Sequence, residues 1–337
     1  MNYIHIGYPK NLSTTLQNDF FSKHSELSHL GLGNNGQSMN YLNRDIAIYF
    51  ESLLRARDIE FKDIHNDFLD SIKSNFKKKY GISHENLSFH FSNDEVDITQ
   101  KINRLYDLFG KETRIIVIIR NQFDLIKSLY KESLKAGLGI DFHDYVNALY
   151  KSRIHSYLQE IKFDRVIELY QNKFGLENIL IIPIENFRIN GHLKEIDGKN
   201  ILLTVICNFL EIKYENITLT HNNPSLSDKE AFQLLALNNQ YKYNLGKGNY
   251  ALIDTHKYRD IFEFIEFNET DIYHDVKIKR ILLEYAEKLA KNDSRKINYY
   301  ADTTIVEKLK KMFIESNEKL SKNYGIDLPD NYFKMEF

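Results

Sequence analysis

The stretch RIIVII, from Arg114 to Ile119, limits the possible folds of this chain more than any other segment. After the arginine every residue is apolar and β-branched, so a strand formed here must be buried on both of its faces. A strand buried on both faces is typical of a parallel sheet that is covered by helices on each side. We therefore expect Arg114–Ile119 to be a central strand of an α/β fold.

Three further apolar runs are interpreted as strands: Tyr3–Ile6, Leu87–Phe91 and Ile179–Pro183. Amphipathic helical patterns fill the segments between them, for example RDIAIYFESLLRAR and FKDIHNDFLDSIKSNF. This alternation predicts an α/β fold in which helices flank a parallel sheet.

After about residue 220 strand signals fade and helical patterns dominate, as in VKIKRILLEYAEKL and TTIVEKLKKMFIESNEKL. No internal repeat or long linker interrupts the chain. We therefore expect one domain over residues 1–337. Residues 1–220 would form its α/β core and residues 221–337 a mostly helical extension.

The composition argues against several classes of protein. The 45 Lys and Arg residues nearly balance the 47 Asp and Glu residues, so no broad basic field is available for a nucleic acid. The one cysteine, Cys207, cannot form a disulfide within the chain, and its apolar helical surroundings predict a buried thiol. No signal peptide and no apolar stretch of about 20 residues is visible, so we expect a cytoplasmic protein without a transmembrane segment.

The turn after the first predicted strand carries an unusual set of polar residues. In the stretch YIHIGYPKNLSTTLQNDFF a lysine, Lys10, is followed by the hydroxyl residues Ser13, Thr14 and Thr15 just where a helical pattern begins. The free N–H groups of a helix start attract anions, and the lysine and the hydroxyls would add to that attraction. One hydroxyl alone would be an ordinary helix cap. Three hydroxyls and a lysine favour a site for a phosphate-like group.

A second candidate anion site follows the strand Arg114–Ile119. In the stretch RNQFDLIKSLY, Arg120 ends the strand and Ser128 lies about two turns into the helix that is predicted to begin near Phe123. The planar guanidinium of an arginine can pair with two oxygens of one phosphate. Alone, this arrangement also suits an arginine that pairs with a nearby carboxylate.

Together the two segments resemble the sulfotransferases that use 3′-phosphoadenosine 5′-phosphosulfate (PAPS), especially bacterial carbohydrate-type members. The order Pro-Lys-x-x-Ser-Thr-Thr is similar to the 5′-phosphosulfate loop of that family, and Arg120 with Ser128 is similar to its 3′-phosphate motif. Asn11 stands where the family usually has Ser or Thr, and Leu12 where it has Gly or Ala. A glycine tolerates positive φ and a leucine does not, so the backbone angles at Leu12 become a test of the resemblance.

The resemblance implies a P-loop-like fold, PAPS as the donor substrate, and no metal. Lys10 would neutralise the charge that develops on the leaving phosphate, while Arg120 and Ser128 would bind the 3′-phosphate. The expected acceptor is a hydroxyl of a carbohydrate or glycolipid. The residues expected to bind the donor are Pro9, Lys10, Asn11, Leu12, Ser13, Thr14, Thr15, Arg120 and Ser128.

Attack by a hydroxyl requires a general base. The resemblance implies a His or Glu, or in bacterial relatives an acidic residue, in the segment LSFHFSNDEVD. The candidates there are His90, Asp94 and Glu95. The resemblance favours the two carboxylates, because bacterial relatives carry an acidic residue after a Ser-Asn or similar pair, and the sequence does not choose between Asp94 and Glu95. The acidic pair would otherwise be part of a solvated turn.

Two other functions compete with this interpretation. A small-molecule kinase with an atypical phosphate loop would need an acidic motif that holds Mg²⁺, and no convincing one is visible. A non-catalytic nucleotide-binding module of the same fold would retain the anion sites without the chemistry. The departure at Leu12 is the feature that favours such a module.

Overall fold

A five-stranded sheet, parallel throughout, forms the centre of the protein, in the strand order β2-β5-β1-β6-β7. The computed structural model describes residues 2–32, 40–76, 78–89, 96–153, 156–220, 225–240 and 269–337. The strands of this sheet are β1 (Tyr3–Gly7), β2 (Leu27–His29), β5 (Lys79–His84), β6 (Arg114–Ile119) and β7 (Ile179–Pro183). The predicted α/β class with a parallel sheet is confirmed.

The strand β6 lies in the middle of the sheet and is buried on both faces, as its sequence predicts. Its side chains alternate between two apolar cores: Ile115, Val117 and Ile119 face the larger one, and Ile116 and Ile118 face the smaller one. All five are fully buried, and burying an isoleucine or valine contributes about 1.5–3 kcal/mol each. Because β6 is apolar on both of its faces, it packs between two layers of helices.

Helices cover both faces of this sheet. The early helical segment consists of α1 (Ser13–Thr15) and a π-helix (Leu16–Phe21) that continues it, and with α8 (Ile201–Leu210) it covers the smaller core, where Cys207 is buried. The remaining helices of this α/β part are α2 (Arg44–Arg55), α3 (Asp58–Ser74), α4 (Ile98–Phe109), α5 (Gln122–Lys135), α6 (Phe142–Lys151) and α7 (Phe163–Phe174).

Helices also form the C-terminal part of the chain where the structure describes it. They are α9 (Asp228–Gln240), α10 (Glu269–Asn292) and α11 (Thr303–Tyr324). Leu309 and Phe313 of α11 contribute to the same large core as the sheet residues. The division of the chain at residue 220 stays a prediction.

Short two-stranded antiparallel sheets are separate from the five-stranded sheet. Their strands are β3 (Gly31–Leu32) with β4 (Asn40–Tyr41), β8 (Arg188–Ile189) with β9 (His192–Leu193), and β10 (Glu195–Ile196) with β11 (Lys199–Asn200). None of the described helices is long and apolar enough to cross a membrane.

The strand predicted at Leu87–Phe91 is wrong over residues 87–89, and residues 90–91 lie outside the described part of the chain. The strand described before them is β5 (Lys79–His84), and Glu85–Leu87 form a 3₁₀ turn directly after it. Leu87 and Phe89 are buried in the larger core, and the Leu87 carbonyl accepts a hydrogen bond from the Tyr170 hydroxyl at 2.8 Å. The apolar residues that suggest a strand are therefore core contacts made by a turn.

A close approach between strands explains why β5 does not have an apolar sequence. Gly81 of β5 lies opposite Tyr3 of β1, and a Cβ atom at Gly81 would overlap the Tyr3 carbonyl oxygen and ring. A glycine at this position lets the two strands pair although it weakens the strand signal in the sequence.

Candidate functional site

The candidate site lies at the carboxyl edge of the sheet, where open α/β folds bind their ligands. Strand β1 ends at Gly7, residues 8–12 turn back over this edge, and α1 begins at Ser13. Strand β6 pairs with β1 and ends at Ile119, so Arg120 follows at the same edge. The two motifs singled out from the sequence therefore lie at the same edge on adjacent strands.

The turn contains two residues with left-handed backbone torsions. Lys10 and Leu12 both have φ of 65°, and Leu12 lies in the αL region with ψ of 9°. An L-residue in this region costs roughly 1–2 kcal/mol, and a glycine would avoid that cost. Leu12 therefore adopts the conformation that a glycine would favour at this position.

Contacts within the protein hold this turn in place. The Asn11 side-chain amide donates to the Ile118 carbonyl of β6 at 3.0 Å, and the Ser13 hydroxyl lies 3.3 Å from the Tyr8 carbonyl. Ser13 packs directly above Gly7, where a Cβ atom would overlap its hydroxyl. Asn11 and Ser13 are both buried, so they fix the shape of the turn.

The helix start within the turn is left without a side-chain cap. Leu12 stands at the N-cap position and cannot accept a hydrogen bond from the first N–H groups, as Ser or Asp would. Uncapped N–H groups near left-handed residues form a concave donor surface of the kind that binds phosphate oxygens. Of the three hydroxyl residues, Ser13 and Thr15 are buried and Thr14 is half-buried.

Lys10 points from this turn toward helix α5. Its ammonium lies 2.9 Å from Oε1 of Glu132, and Lys135 reaches the same oxygen at 2.9 Å. Burial raises the pKa of the Glu132 carboxyl, but Lys10 and Lys135 outweigh this effect and hold the pKa below its ordinary value. The Lys10 charge is thus paired with a carboxylate of the protein.

A second carboxylate, Glu85, lies near Lys10. It is the first residue after β5, the other neighbour of β1 in the sheet. Burial raises the pKa of Glu85 to about 7, although Lys10 and a hydrogen bond with Ser13 act in the opposite direction. The residue as a whole is half-buried. A carboxyl with a pKa near 7 suits proton transfer at neutral pH.

Helix α5 connects the two motifs. It begins at Gln122, two residues after Arg120, and carries Glu132, the partner of Lys10, so about 15 Å of helix axis separates residues 122 and 132. Ser128 lies between them on α5, is buried, and its hydroxyl is 3.5 Å from the Ser225 hydroxyl. Lys10 contacts α5 through Glu132, Ser128 lies on the helix, and Arg120 precedes it. The structure shows no direct contact between Ser128 and Arg120.

Three predicted base candidates, His90, Asp94 and Glu95, lie outside the described residues. Phe89, the last residue described before them, packs edge-on against Tyr8 with ring centroids 5.6 Å apart. The prediction for these three residues is therefore untested.

Sequence reasoning missed Glu85, Glu132 and Arg188. Glu85 follows a strand that its polar sequence conceals, and Glu132 becomes relevant only because α5 brings it to Lys10. Arg188 follows β7 in the stretch PIENFRIN, so a search for basic residues after predicted strands would have found it.

Within the described part of the chain, no group of three or more His, Cys, Asp or Glu side chains has the arrangement of a metal site.

Among known proteins, similarity to this chain is found in solved structures. No protein-family model and no curated protein sequence matches the chain. Among solved structures, the fold is similar to that of a sulfotransferase from Alicyclobacillus acidocaldarius, with a TM-score of 0.42 and 15% sequence identity. The similarity covers 70% of this chain and 92% of that one.

Proposed function

We propose that the protein is a sulfotransferase that moves a sulfuryl group from PAPS to an acceptor hydroxyl on a carbohydrate or glycolipid. The observation that carries this proposal is the turn around Lys10. Its sequence resembles a 5′-phosphosulfate loop, and at Leu12 its backbone takes the left-handed conformation that the family's usual glycine allows. The departure at Leu12 thus changes the residue, while the backbone there keeps angles that a glycine would allow.

Lys10 would act on the leaving group. In the transfer, the acceptor oxygen forms a bond to sulfur while the bond from sulfur to the 5′-phosphate oxygen breaks, and negative charge collects on that phosphate. The Lys10 ammonium, which lies 2.9 Å from Glu132, would turn to the phosphate and neutralise this charge. The free N–H groups of the helix start would hold the phosphate oxygens.

Glu85 is added to the candidates for the general base. The base takes the proton from the acceptor hydroxyl as its oxygen attacks sulfur. Glu85 lies at the carboxyl edge next to β1, is half-buried, and has a pKa of about 7, so much of it is ionised at neutral pH. His90, Asp94 and Glu95 remain alternatives, and Arg120 with Ser128 would bind the 3′-phosphate.

The proposal is tested by transfer of radiolabelled sulfate from PAPS to a panel of polysaccharides, glycolipids, phenols and amines. Labelling of a carbohydrate or glycolipid acceptor is the expected result. Calorimetry complements the screen, because adenosine 3′,5′-bisphosphate should bind without added metal. Binding of ATP that depends on Mg²⁺, without binding of the bisphosphate, would identify a kinase instead. Binding of the bisphosphate without transfer to any acceptor would identify a non-catalytic module.

A further inference from the structure

Two arginines meet at the carboxyl edge of neighbouring strands. Arg120 directly follows β6, and Arg188 follows β7 after one 3₁₀ turn, Ile184–Phe187. The strands run parallel with Ile119 opposite Pro183, so the two residues emerge at the same end of the sheet. Both side chains are half-buried, which leaves them within reach of a ligand.

These two positive charges are poorly compensated. Among the residues that the structure describes, neither guanidinium has a hydrogen-bond or ion-pair partner, and the Nε atom of Arg188 is buried without one. Burial and the neighbouring charge of Arg120 both lower the pKa of Arg188. A buried donor without a partner costs about 1–3 kcal/mol, and more when it is charged.

The carboxylate that acts on Arg188, Glu185, is committed to other partners. One of its oxygens accepts a hydrogen bond from the Asn121 backbone N–H at 2.8 Å, and the other accepts one from the Tyr332 hydroxyl at 2.8 Å. Glu185 therefore ties the end of β7 to the start of α5 and to the C-terminal segment. It reduces the excess charge near the arginines without occupying either guanidinium.

We propose that Arg188 joins Arg120 in binding a terminal phosphate monoester, and that this pair makes the site select nucleotides carrying such a group. A phosphate monoester has a charge of about −1.5 to −2 at neutral pH, which balances two guanidinium groups. Each guanidinium offers a planar fork that matches two phosphate oxygens. The proposal rests on the proposed function, in which this group is the 3′-phosphate of the donor.

The test compares two nucleotides that differ by one phosphate. Adenosine 3′,5′-bisphosphate and adenosine 5′-monophosphate are titrated by calorimetry into the wild-type protein and into Arg188→Met, Arg188→Lys and Arg280→Met. Arg280 is an exposed residue of α10, 3.8 Å from Glu284, and controls for the loss of one positive charge. Charged hydrogen bonds contribute enough that Arg188→Met should weaken the bisphosphate by about 10- to 100-fold.

The pattern of losses decides the result. The monophosphate should bind Arg188→Met and the wild type within about twofold, Arg188→Lys should fall between them for the bisphosphate, and Arg280→Met should match the wild type. An equal loss for both nucleotides, or a loss for neither, would overturn the inference. Sulfate transfer with unchanged selectivity in Arg188→Met would defeat only the inference. Selective, Arg188-dependent binding without transfer would defeat only the proposed sulfotransferase activity.

The thermal stability of the ligand-free variants separates binding from folding. Since the charge of Arg188 is poorly compensated, Arg188→Met should melt at the same temperature as the wild type or higher. Saturating bisphosphate should raise the melting temperature of the wild type more than that of Arg188→Met. A lower melting temperature for ligand-free Arg188→Met, with an equal ligand-induced rise in both proteins, would mean that Arg188 serves the fold instead of the ligand.

Discussion

The two ends of the candidate site carry different kinds of unfavourable free energy, one in the backbone and the other in charges without partners. Around Lys10 the charges are paired, with Glu132 at 2.9 Å, but the backbone is strained at Lys10 and Leu12. Arg120 and Arg188 themselves have no left-handed torsions, but their charges lack partners among the described residues. Both kinds of cost are typical of functional sites, because a structure retains them when a ligand relieves or uses them.

This difference matches two different tasks. A cation that already has a carboxylate partner can be moved to a charge that appears only during the reaction, which favours the transition state over the bound substrate. A cation without a partner gains most from a charge that is present throughout, which favours binding. We therefore expect changes near Lys10 to affect turnover, and changes near Arg188 to affect affinity.

The largest expected effect concerns Glu85, on the Lys10 side. Replacing it by Gln removes the proton acceptor, and general-base catalysis typically contributes about 10²- to 10⁴-fold. Turnover of the wild type should rise with pH up to about 7, because the base must be ionised and the pKa of Glu85 is about 7. Rate measurements from pH 5 to 9 check both points.

The competing base candidates provide the comparison for that experiment. Asp94→Asn, Glu95→Gln and His90→Gln should each cost less turnover than Glu85→Gln, and each should keep the rise in rate near pH 7. If one of them abolishes turnover while Glu85→Gln remains active, the base lies in the segment that the sequence analysis indicated.

Next in size is the effect of Lys10→Met. Losing a group that stabilises developing charge costs about 10²- to 10³-fold in turnover, and affinity for adenosine 3′,5′-bisphosphate should change by less than about tenfold. Lys135→Met is the matched control, since Lys135 reaches the same oxygen of Glu132 at 2.9 Å. Equal loss of turnover in the two variants would assign the effect to Glu132 and its ion pairs instead of the donor.

The sequence predicts those parts of the fold where one physical effect dominates. Strand β6 is apolar on both faces and lies between two cores, so its bounds agree with the prediction to the residue. The bounds of strand β7, Ile179–Pro183, also agree with the prediction to the residue. Strand β5 escapes prediction because close pairing with Tyr3 requires Gly81, and because its ends are polar.

The sequence predicts where the candidate cations lie, but not which acids lie beside them. Lys10 and Arg120 follow apolar strands, so the position of each strand locates the residue at the sheet edge. Glu85 follows the strand that was missed, and Glu132 reaches Lys10 only through the packing of α5. Contacts between distant segments depend on helix packing, which periodicity in one segment does not determine.

A smaller effect is expected in the stability of the protein at acid pH. His5 of β1 and His29 of β2 are buried, and burial lowers the pKa of each to about 3. Between pH 6.5 and 3 the unfolded chain protonates these histidines and the folded protein does not, so stability falls as pH falls. Glu85 acts in the opposite direction between pH 7 and 4.5, because its pKa is raised in the folded protein.

The variant His29→Phe removes one of these two titrating groups, so it shows how much that histidine contributes to the pH dependence. Its free energy of unfolding should fall less steeply than that of the wild type below pH 6.5, by about 1.4 kcal/mol per pH unit. Urea unfolding at pH 7, 6 and 5 gives the two slopes. Parallel slopes for His29→Phe and the wild type would show that His29 is not held neutral in the fold.

The smallest effect tests the strained turn itself, through the order of stability of two variants. At Leu12, Gly should be more stable than Ala by about 1 kcal/mol, because the left-handed backbone disfavours a Cβ atom and both variants lose the same leucine contacts. At Leu16, one turn later in the helical segment, Ala should be more stable than Gly by about 0.5–1 kcal/mol. Urea unfolding of the four variants measures both differences. If Gly is the more stable variant at position 12 and Ala the more stable at position 16, side-chain size cannot explain both results. The strain would then lie in the backbone at Leu12. If Ala is as stable as Gly there, the turn does not keep its left-handed shape in solution, and the contrast between a strained end and an unpaired end of the site is lost.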